Sequence, residues 1–433
     1  VYIRGGDFGS NWDDEEIVNP TSMPFPPKVQ MWSIAFDGGN PIPLGEGISP
    51  SISPDSRTVA FVRDGQLWHI PIDGSGEAQQ LFSARGRNGS PSWSPDGSML
   101  AFRSYRDHHS YIGIYRDENT PIQWIDPSFH FDSNPAWSPD GSALAFIREP
   151  IRLGKPDSML AAIPDPWSVM KADVASGEVS EMWTSPNTMR GSVPTTQGRF
   201  NLNYANSYIT FLSYHDGWPH LYSLDENGGE PLLLTPGDYM AEYISLSPDK
   251  KSLVFTANTG PNQYDIDRRH IVKVPVDKAE PEVMTPGTGN EWTPYISGDG
   301  EHMFYISATA QRPPLVAVME LDDQDSKLLG EDLIPEDFPT EQLVVPTQVV
   351  FDAPDGTKIH GTLFRTDNRR QQKPAVIYVH GGPPRQMLLG WHYSSYYSNA
   401  YAMNQYLASQ GFVVLSVNYR LGIGYGYEFH KPV

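Results

Sequence analysis

One four-residue phrase recurs through the first three quarters of the chain and constrains its architecture more than any other feature. It reads Ser53-Pro54-Asp55-Ser56, Ser94-Pro95-Asp96-Gly97, Ser138-Pro139-Asp140-Gly141, Ser247-Pro248-Asp249-Lys250 and Ser297-Gly298-Asp299-Gly300. Proline presets φ for a turn, aspartate bonds the backbone ahead of it, and glycine takes φ > 0. An apolar residue precedes each copy (Ile52, Trp93, Trp137, Leu246, Ile296). A short apolar run follows and ends in an aromatic, at Phe61, Phe102, Phe146, Phe255 and Tyr305. Each copy therefore predicts a strand, a tight turn and a second strand.

The aromatics are 41, 44, 109 and 50 residues apart. The long gap hides a degenerate copy, Asn206-Ser207 before Tyr208-Ile209-Thr210-Phe211, which divides it into 65 and 44. The surplus falls in a proline-rich insertion at 149–167. A third strand and a turn follow most copies, as at 67–72 before Asp73-Gly74, 167–172 before Ser176-Gly177 and 220–224 before Asn227-Gly228-Gly229. A fourth short strand closes the unit, as at 232–234. Four strands in roughly 40–45 residues is the period of a propeller blade. Six whole blades are predicted. Residues 1–4, 31–35 and 41–44 supply part of a further one, for a total of seven or eight. Its inner strand is not in the chain, and upstream sequence is expected to be lost, because an open propeller exposes two sheet edges.

Composition fits a turn-rich β protein: 38 glycines and 40 prolines among 433 residues, a share above the roughly 12% average. Net charge is −21, and the excess of acid lies wholly before residue 340. That argues against nucleic acid or an anionic membrane as partner. The run Asp13-Asp14-Glu15-Glu16 is expected to be a solvated loop. There is no cysteine, so no disulfide or thiolate metal site can form. A periplasmic or secreted location is favoured over the cytoplasm. No run of 18 apolar residues is present, so no spanning helix is expected. The first residue, Val1, sits inside an apparent strand, so the lack of a leader is uninformative.

The pattern changes after the last blade. Residues 1–330 form the propeller and 331–346 a linker, with 331–342 polar and interrupted by Pro335 and Pro339. From 347 a strand (348–351), the turn Ala353-Pro354-Asp355-Gly356 and a second strand (358–364) lead through a charged loop (367–373) to the run Ala375-Val376-Ile377-Tyr378-Val379. Five apolar residues, mostly β-branched or aromatic, predict a strand buried on both faces. It ends in His380-Gly381-Gly382-Pro383-Pro384. Two glycines at the carboxyl end of such a strand leave backbone N–H groups bare, where open α/β sheets place their chemistry. A helix is predicted over 396–410, with Tyr401, Met403, Tyr406 and Leu407 as its apolar positions and Gly411 as its cap. A buried strand follows at 412–417, then Asn418-Tyr419-Arg420. A hairpin leading into strand–loop–helix–strand predicts the front end of an α/β-hydrolase domain over 347–433.

Together, the blades, His380-Gly381-Gly382-Pro383, Asn418-Tyr419-Arg420 with Gly424-Tyr425-Gly426, and Asp216-Gly217-Trp218-Pro219-His220-Leu221-Tyr222 resemble the prolyl oligopeptidase family of serine peptidases (S9), in its dipeptidyl-peptidase and acylaminoacyl-peptidase branch. The resemblance covers essentially the whole chain and departs at Leu421-Gly422-Ile423, where many members have Gly-Ser before the G-Y-G. It implies hydrolysis of short peptides through an acyl-enzyme, no cofactor, no nucleic-acid or membrane partner, and leaves a homo-oligomer of the intact protein open. It implies that Gly382, with Gly381 beside it, offers an oxyanion N–H. Dipeptidyl peptidases use a tyrosine side chain at the position of His380, so here the backbone version is expected, with His380 bonding nearby loop backbone. Arg420 is expected to order loops near the substrate or to form a plain salt bridge.

Such chemistry needs a serine nucleophile, a histidine base and an acid that orients it. In this fold the serine sits in a G-x-S-x-G elbow, and Ser, Asp and His follow in that order. No G-x-S-x-G occurs in the chain. After Asp367 the one acid is Glu428, two residues from His430, and that pair cannot come from separate loops. The triad is therefore expected beyond Val433, the chain being truncated at both ends and inactive by itself. Dipeptidyl peptidases hold the peptide amino terminus with a glutamate pair on a propeller insertion. Glu149 stands alone and residues 13–16 have the wrong context, so dipeptidyl, acylaminoacyl and oligopeptidase activities stay open. No metal site is indicated at His108-His109 or at His215 and His220. The alternative is a non-catalytic TolB-like propeller that only binds partners.

Overall fold

Each serine of the repeated phrase closes its own turn. In the computed structural model, which describes residues 1–5, 28–151, 162–366 and 373–431, Ser94 Oγ donates to Asp96 Oδ1 at 2.6 Å and accepts the Met99 N–H at 2.9 Å. Asp96 accepts the Ser98 N–H at 3.0 Å. The same three bonds recur around Ser53, Ser138, Ser247 and Ser297. These donors hold Asp96 and Asp140 down at about 2, the serine hydroxyl first and the backbone N–H second. Residues 13–16, most of the insertion at 149–167 and most of the loop at 367–373 lie outside the described residues.

The blades are four-stranded antiparallel sheets. Blade 1 is built from Ile48–Ile52, Thr58–Arg63, Gln66–Pro71 and Gln79–Gln80. Blade 2 begins with Arg87–Trp93 and blade 3 with His130–Trp137; a parallel bridge from Ser110 to Phe131 joins them into one sheet. Blade 4 begins with Asn203–Ala205, blade 5 with Ala241–Leu246 and blade 6 with Asn290–Ile296. Residues Tyr2–Arg4, Gln30–Ser33 and Ile42–Glu46 form a three-stranded partial blade. The repeat aromatics Phe61, Phe102, Phe146, Phe211 and Phe255 have no exposure at all, and Tyr305 is also buried. Trp93 and Trp137, just before their turns, donate Nε1 to the Ser51 and Ser92 carbonyls of the preceding blade. The protein is a β-propeller followed by the start of an α/β-hydrolase domain.

One repeated feature is invisible in the residue types. Four residues before the repeat serine, five inner strands carry a bulge with a left-handed residue: Ser49, Ser90, Asn134, Tyr243 and Thr293, with φ between 52° and 57°. The ladder slips by one residue at each. Bulges of this kind bend a strand and raise its twist. Tyrosine and threonine adopt such φ only where the surrounding structure requires it.

The chain packs as two compact units, Val1–Ser185 and Pro186–Val433. The second contains blades 4 to 6 and a further sheet. That sheet has strands β1 (Thr347–Asp352), β2 (Lys358–Phe364), β3 (Ala375–Val379) and β4 (Val413–Asn418), in the order β1-β2-β4-β3. Helix α1 (Ser395–Ser409) crosses from β3 to β4, which run parallel, while β2 and β4 are antiparallel. Gly411, at φ 92°, follows the helix. Phe364, Trp391, Tyr401 and Val414 form a core with Trp292 and Ala308 of blade 6.

Two expectations are corrected here. The run at β3 is not buried on both faces: among the described residues it is an edge strand, bonded to β4 alone, and Ile377 and Val379 are 68% and 61% exposed. An apolar run records what a strand can bury, not which neighbours it has. In α1 the buried positions are Tyr397, Tyr401, Asn404, Gln405 and Ala408, while Met403 and Tyr406 face outward. Gln405 is drawn inward by backbone bonding: its Nε2 donates to the Val344 carbonyl at 2.7 Å and its Oε1 accepts the Val344 N–H at 2.8 Å.

Candidate functional site

The loop after β3 is held from both sides by tyrosine hydroxyls. Tyr419 Oη donates to the His380 carbonyl at 2.7 Å, and Tyr397 Oη, from α1, donates to the Gly381 carbonyl at 2.6 Å. The His380 ring is buried and stacked on Tyr419 with centroids 4.6 Å apart. Its Nδ1 lies 3.3 Å from the Gly381 carbonyl, and burial pushes it below the usual imidazole range. His380 thus anchors its own loop in the neutral form. Gly381 and Gly382 are exposed, and their N–H groups have no acceptor among the described residues. Gly382 has φ 62°, a conformation glycine adopts freely.

The segment beyond the glycines is fixed by Asn418, at the end of β4. Its Oδ1 accepts the Met387 N–H at 2.7 Å and its Nδ2 donates to the Met387 carbonyl at 2.9 Å. The same Nδ2 reaches Tyr425 Oη at 2.8 Å. Tyr425 in turn donates to Asp267, which sits in a short 3-10 turn (Asp265–Asp267) between the second and third strands of blade 5. Asp267 is buried and also accepts from Gln386 Nε2 at 3.0 Å and Gln348 Nε2 at 2.5 Å, with His360 Nδ1 at 3.0 Å. One propeller carboxylate therefore gathers β1, β2, the glycine loop and the G-Y-G turn. Desolvation first, then the Asp267 carboxylate, holds the Tyr425 phenol well above its usual range.

Beside this network lies a cavity of about 1060 Å³ whose walls include His215, Trp218, His360, Arg420, Tyr425 and Phe429. Arg420 is ion-paired to Asp355 in the β1–β2 turn. The walls do not include His380, Gly381 or Gly382. Tyr419 links the two parts of the predicted site, since its hydroxyl holds the loop and its neighbour Arg420 lines the cavity, and the Asp267 network links them again through Tyr425 and Gln386.

The remaining candidates are dispersed. Glu428 pairs with Arg190, whereas His430 Nε2 lies 3.0 Å from Thr195 Oγ1. Ser213 Oγ lies 2.9 Å from His215 Nδ1, but Ser213 is fully buried inside blade 4. His392 is buried, accepts the Ser394 N–H at Nδ1 and is pushed down to about 3 by burial and by Arg269, so it stays neutral. The ligand atoms of Asp299, Glu301 and His302 lie within 4.8 Å of one another at a blade turn, but Asp299 is already engaged by Ser297. Sequence reasoning missed Asp267, His360, Gln348 and Gln386. None of them belongs to a local motif; only Asn418 and Tyr425, in the N-Y-R and G-Y-G phrases, carried a signal.

Propeller blades that lead into a β1-β2-β4-β3 sheet with a glycine loop after β3 define a propeller–hydrolase protein. The chain is similar to the prolyl oligopeptidase family of serine peptidases. The family model for the TolB beta propeller domain matches residues 29–159, and that for the dipeptidyl peptidase IV N-terminal region matches residues 158–314. The chain is 26% identical to the uncharacterized peptidase YuxL of Bacillus subtilis over 141 residues, which are 32% of this chain and 20% of that protein. It is 26% identical to dipeptidyl peptidase 4 of Trichophyton rubrum over 196 residues, 43% of this chain and 24% of that one. Among solved structures, a puromycin-hydrolyzing peptidase of Mycobacterium tuberculosis superposes with a TM-score of 0.67 at 18% identity, covering 93% of this chain and 63% of that one. The acylaminoacyl peptidase of Pyrococcus horikoshii gives 0.59 at 16%, covering 93% and 62%. The structural likeness is one of fold, and the chain spans less than two thirds of each of these relatives.

Proposed function

We propose that this chain supplies the propeller and the oxyanion wall of a serine peptidase that cleaves short peptides through an acyl-enzyme. The observation that carries the proposal is the pair of unengaged N–H groups at Gly381 and Gly382, held by Tyr397 and Tyr419. Preorganised backbone donors of this kind stabilise the charge that develops on a carbonyl oxygen as it is attacked. No residue between Val1 and Val433 completes a G-x-S-x-G elbow, so the 433 residues alone are proposed to hydrolyse nothing. The cavity beside Arg420 is offered as a peptide-binding space. Its mixed lining favours neither a free amino terminus nor an acyl group.

The test uses the complete gene product and a short chromogenic peptide. Gly382→Ala puts a Cβ at φ 62° and 3.5 Å from Tyr397 Oη, which tilts the N–H without removing it. The expected result is a fall in kcat of about tenfold or more with KM little changed, within the range for a disturbed oxyanion donor. An unchanged kcat in a folded variant removes the oxyanion assignment.

A further inference from the structure

The first compact unit holds a cavity that the proposed chemistry does not use. It measures about 480 Å³ and is walled by the partial blade and blades 1 and 2. Four cations line it, Lys28, Arg63, Arg87 and Arg103, against two carboxylates, Glu46 and Asp64. That balance runs against a chain whose net charge is −21. Glu46 is already ion-paired to Lys28.

The arginines are placed rather than merely present. Arg63 ends the second strand of blade 1. Its Nε donates to the Glu46 carbonyl at 2.9 Å, and its guanidinium carbon lies 5.2 Å and 5.0 Å from the Phe61 and Trp68 ring centroids. These contacts fix the guanidinium and leave both Nη groups without an acceptor among the described residues. Arg87 opens blade 2. Its stem passes Gly65, where an added Cβ would stand 3.6 Å from Arg87 Cγ. It is exposed and has no side-chain hydrogen bond or ion pair among the described residues. Arg103 joins from the adjacent strand, with Nε donating to Ser110 Oγ at 3.1 Å.

We propose that this cavity is a carboxylate-binding site for a short peptide. A guanidinium fork matches a carboxylate with two parallel hydrogen bonds, and the volume falls within the usual range for small-ligand sites. The acidic remainder of the chain repels polyanions, whereas a small anion can reach the pocket. The choice of a peptide rests on the peptidase reading; the carboxylate rests on the cavity.

The experiment measures equilibrium binding to the 433-residue chain by anisotropy of tetrapeptides carrying an uncharged dye at the amino end. Three peptides are compared: a free carboxyl terminus, a carboxamide terminus, and a carboxamide with one internal glutamate. Binding of the first alone assigns the site to a peptide carboxyl terminus; binding of the first and third assigns it to any carboxylate. Arg63→Gln and Arg87→Gln are each expected to weaken that binding about tenfold without moving the melting temperature. Equal affinity for all three peptides, no binding at millimolar concentration, or affinities unchanged in both variants overturns the proposal. The readout needs no catalysis, so it can fail or succeed independently of the peptidase reading.

Discussion

Asp267 of blade 5 accepts a hydrogen bond from the hydroxyl of Tyr425, which lies 158 residues further along the chain, in the turn after β4. Around that bond the propeller and the start of the hydrolase sheet share one buried polar network. Buried carboxylates persist only when their partners are in place, so this one binds the position of the glycine loop to blade 5.

Replacing Asp267 with asparagine keeps the shape but removes the charge and turns two donor hydrogens toward donors. Charge-assisted bonds contribute about 1.5–3 kcal/mol each, and leaving a buried network broken costs about 3–5 kcal/mol. The expected loss is about 3 kcal/mol, a fall in melting temperature on the order of 6–12 °C for a unit of this size. Tyr425→Phe removes two bonds, the one donated to Asp267 and the one accepted from Asn418, but leaves the carboxylate its other donors, and is expected to lower it by about half as much. Calorimetry on the two variants distinguishes this network from an incidental surface contact, for which both shifts would be negligible.

Tyr419→Phe frees the His380 carbonyl without touching Gly381 or Gly382. One neutral hydrogen bond is worth about 1 kcal/mol, so the loop should open about fivefold more often. Hydrogen exchange at the buried Met387 amide, which the same segment presents to Asn418 Oδ1, should speed up by that factor when followed by mass spectrometry. The amides of blade 6 should keep their wild-type rates.

The repeat turns set the acid limit of the propeller. Asp96 and Asp140 titrate at about 2 when folded, against roughly 3.9 in an unfolded chain. A depressed carboxylate stabilises the fold above the unfolded value, and that contribution disappears as pH falls through the folded one. Stability should therefore drop between about pH 4 and pH 2. Asp96→Asn with Asp140→Asn should flatten that part of the pH–stability curve. Both groups are exposed, so the effect is expected to be modest and to add up over the repeats.

β3 presents an unpaired edge with Ile377 and Val379 exposed. Edges of this kind recruit other strands. The 433-residue chain should self-associate at micromolar concentration, and Val379→Lys should restore a monomer in sedimentation or light scattering.

The blades were legible from sequence because proline, aspartate and glycine act within four residues of themselves. The buried aromatics Phe61, Phe102, Phe146, Phe211, Phe255 and Tyr305 follow from the same local register. The inner-strand bulges were not legible: serine, asparagine, tyrosine and threonine share no chemistry that demands φ > 0, and the geometry comes from packing. The exposure of Ile377 and the outward turn of Met403 depend on neighbours that a local apolar pattern does not specify. The glycine loop was readable as a motif, but its anchors were only partly so. The partners of Asp267 lie 81 to 158 residues away, beyond the reach of any spacing rule.

The proposed oxyanion wall calls for a serine nucleophile outside these 433 residues. A fluorophosphonate probe tests it most directly. The complete gene product should be labelled at a serine within a G-x-S-x-G sequence, and the 433-residue chain should remain unlabelled at Ser394, Ser395, Ser398, Ser409, Ser416 and every other serine. Labelling of any serine between Val1 and Val433 would contradict it.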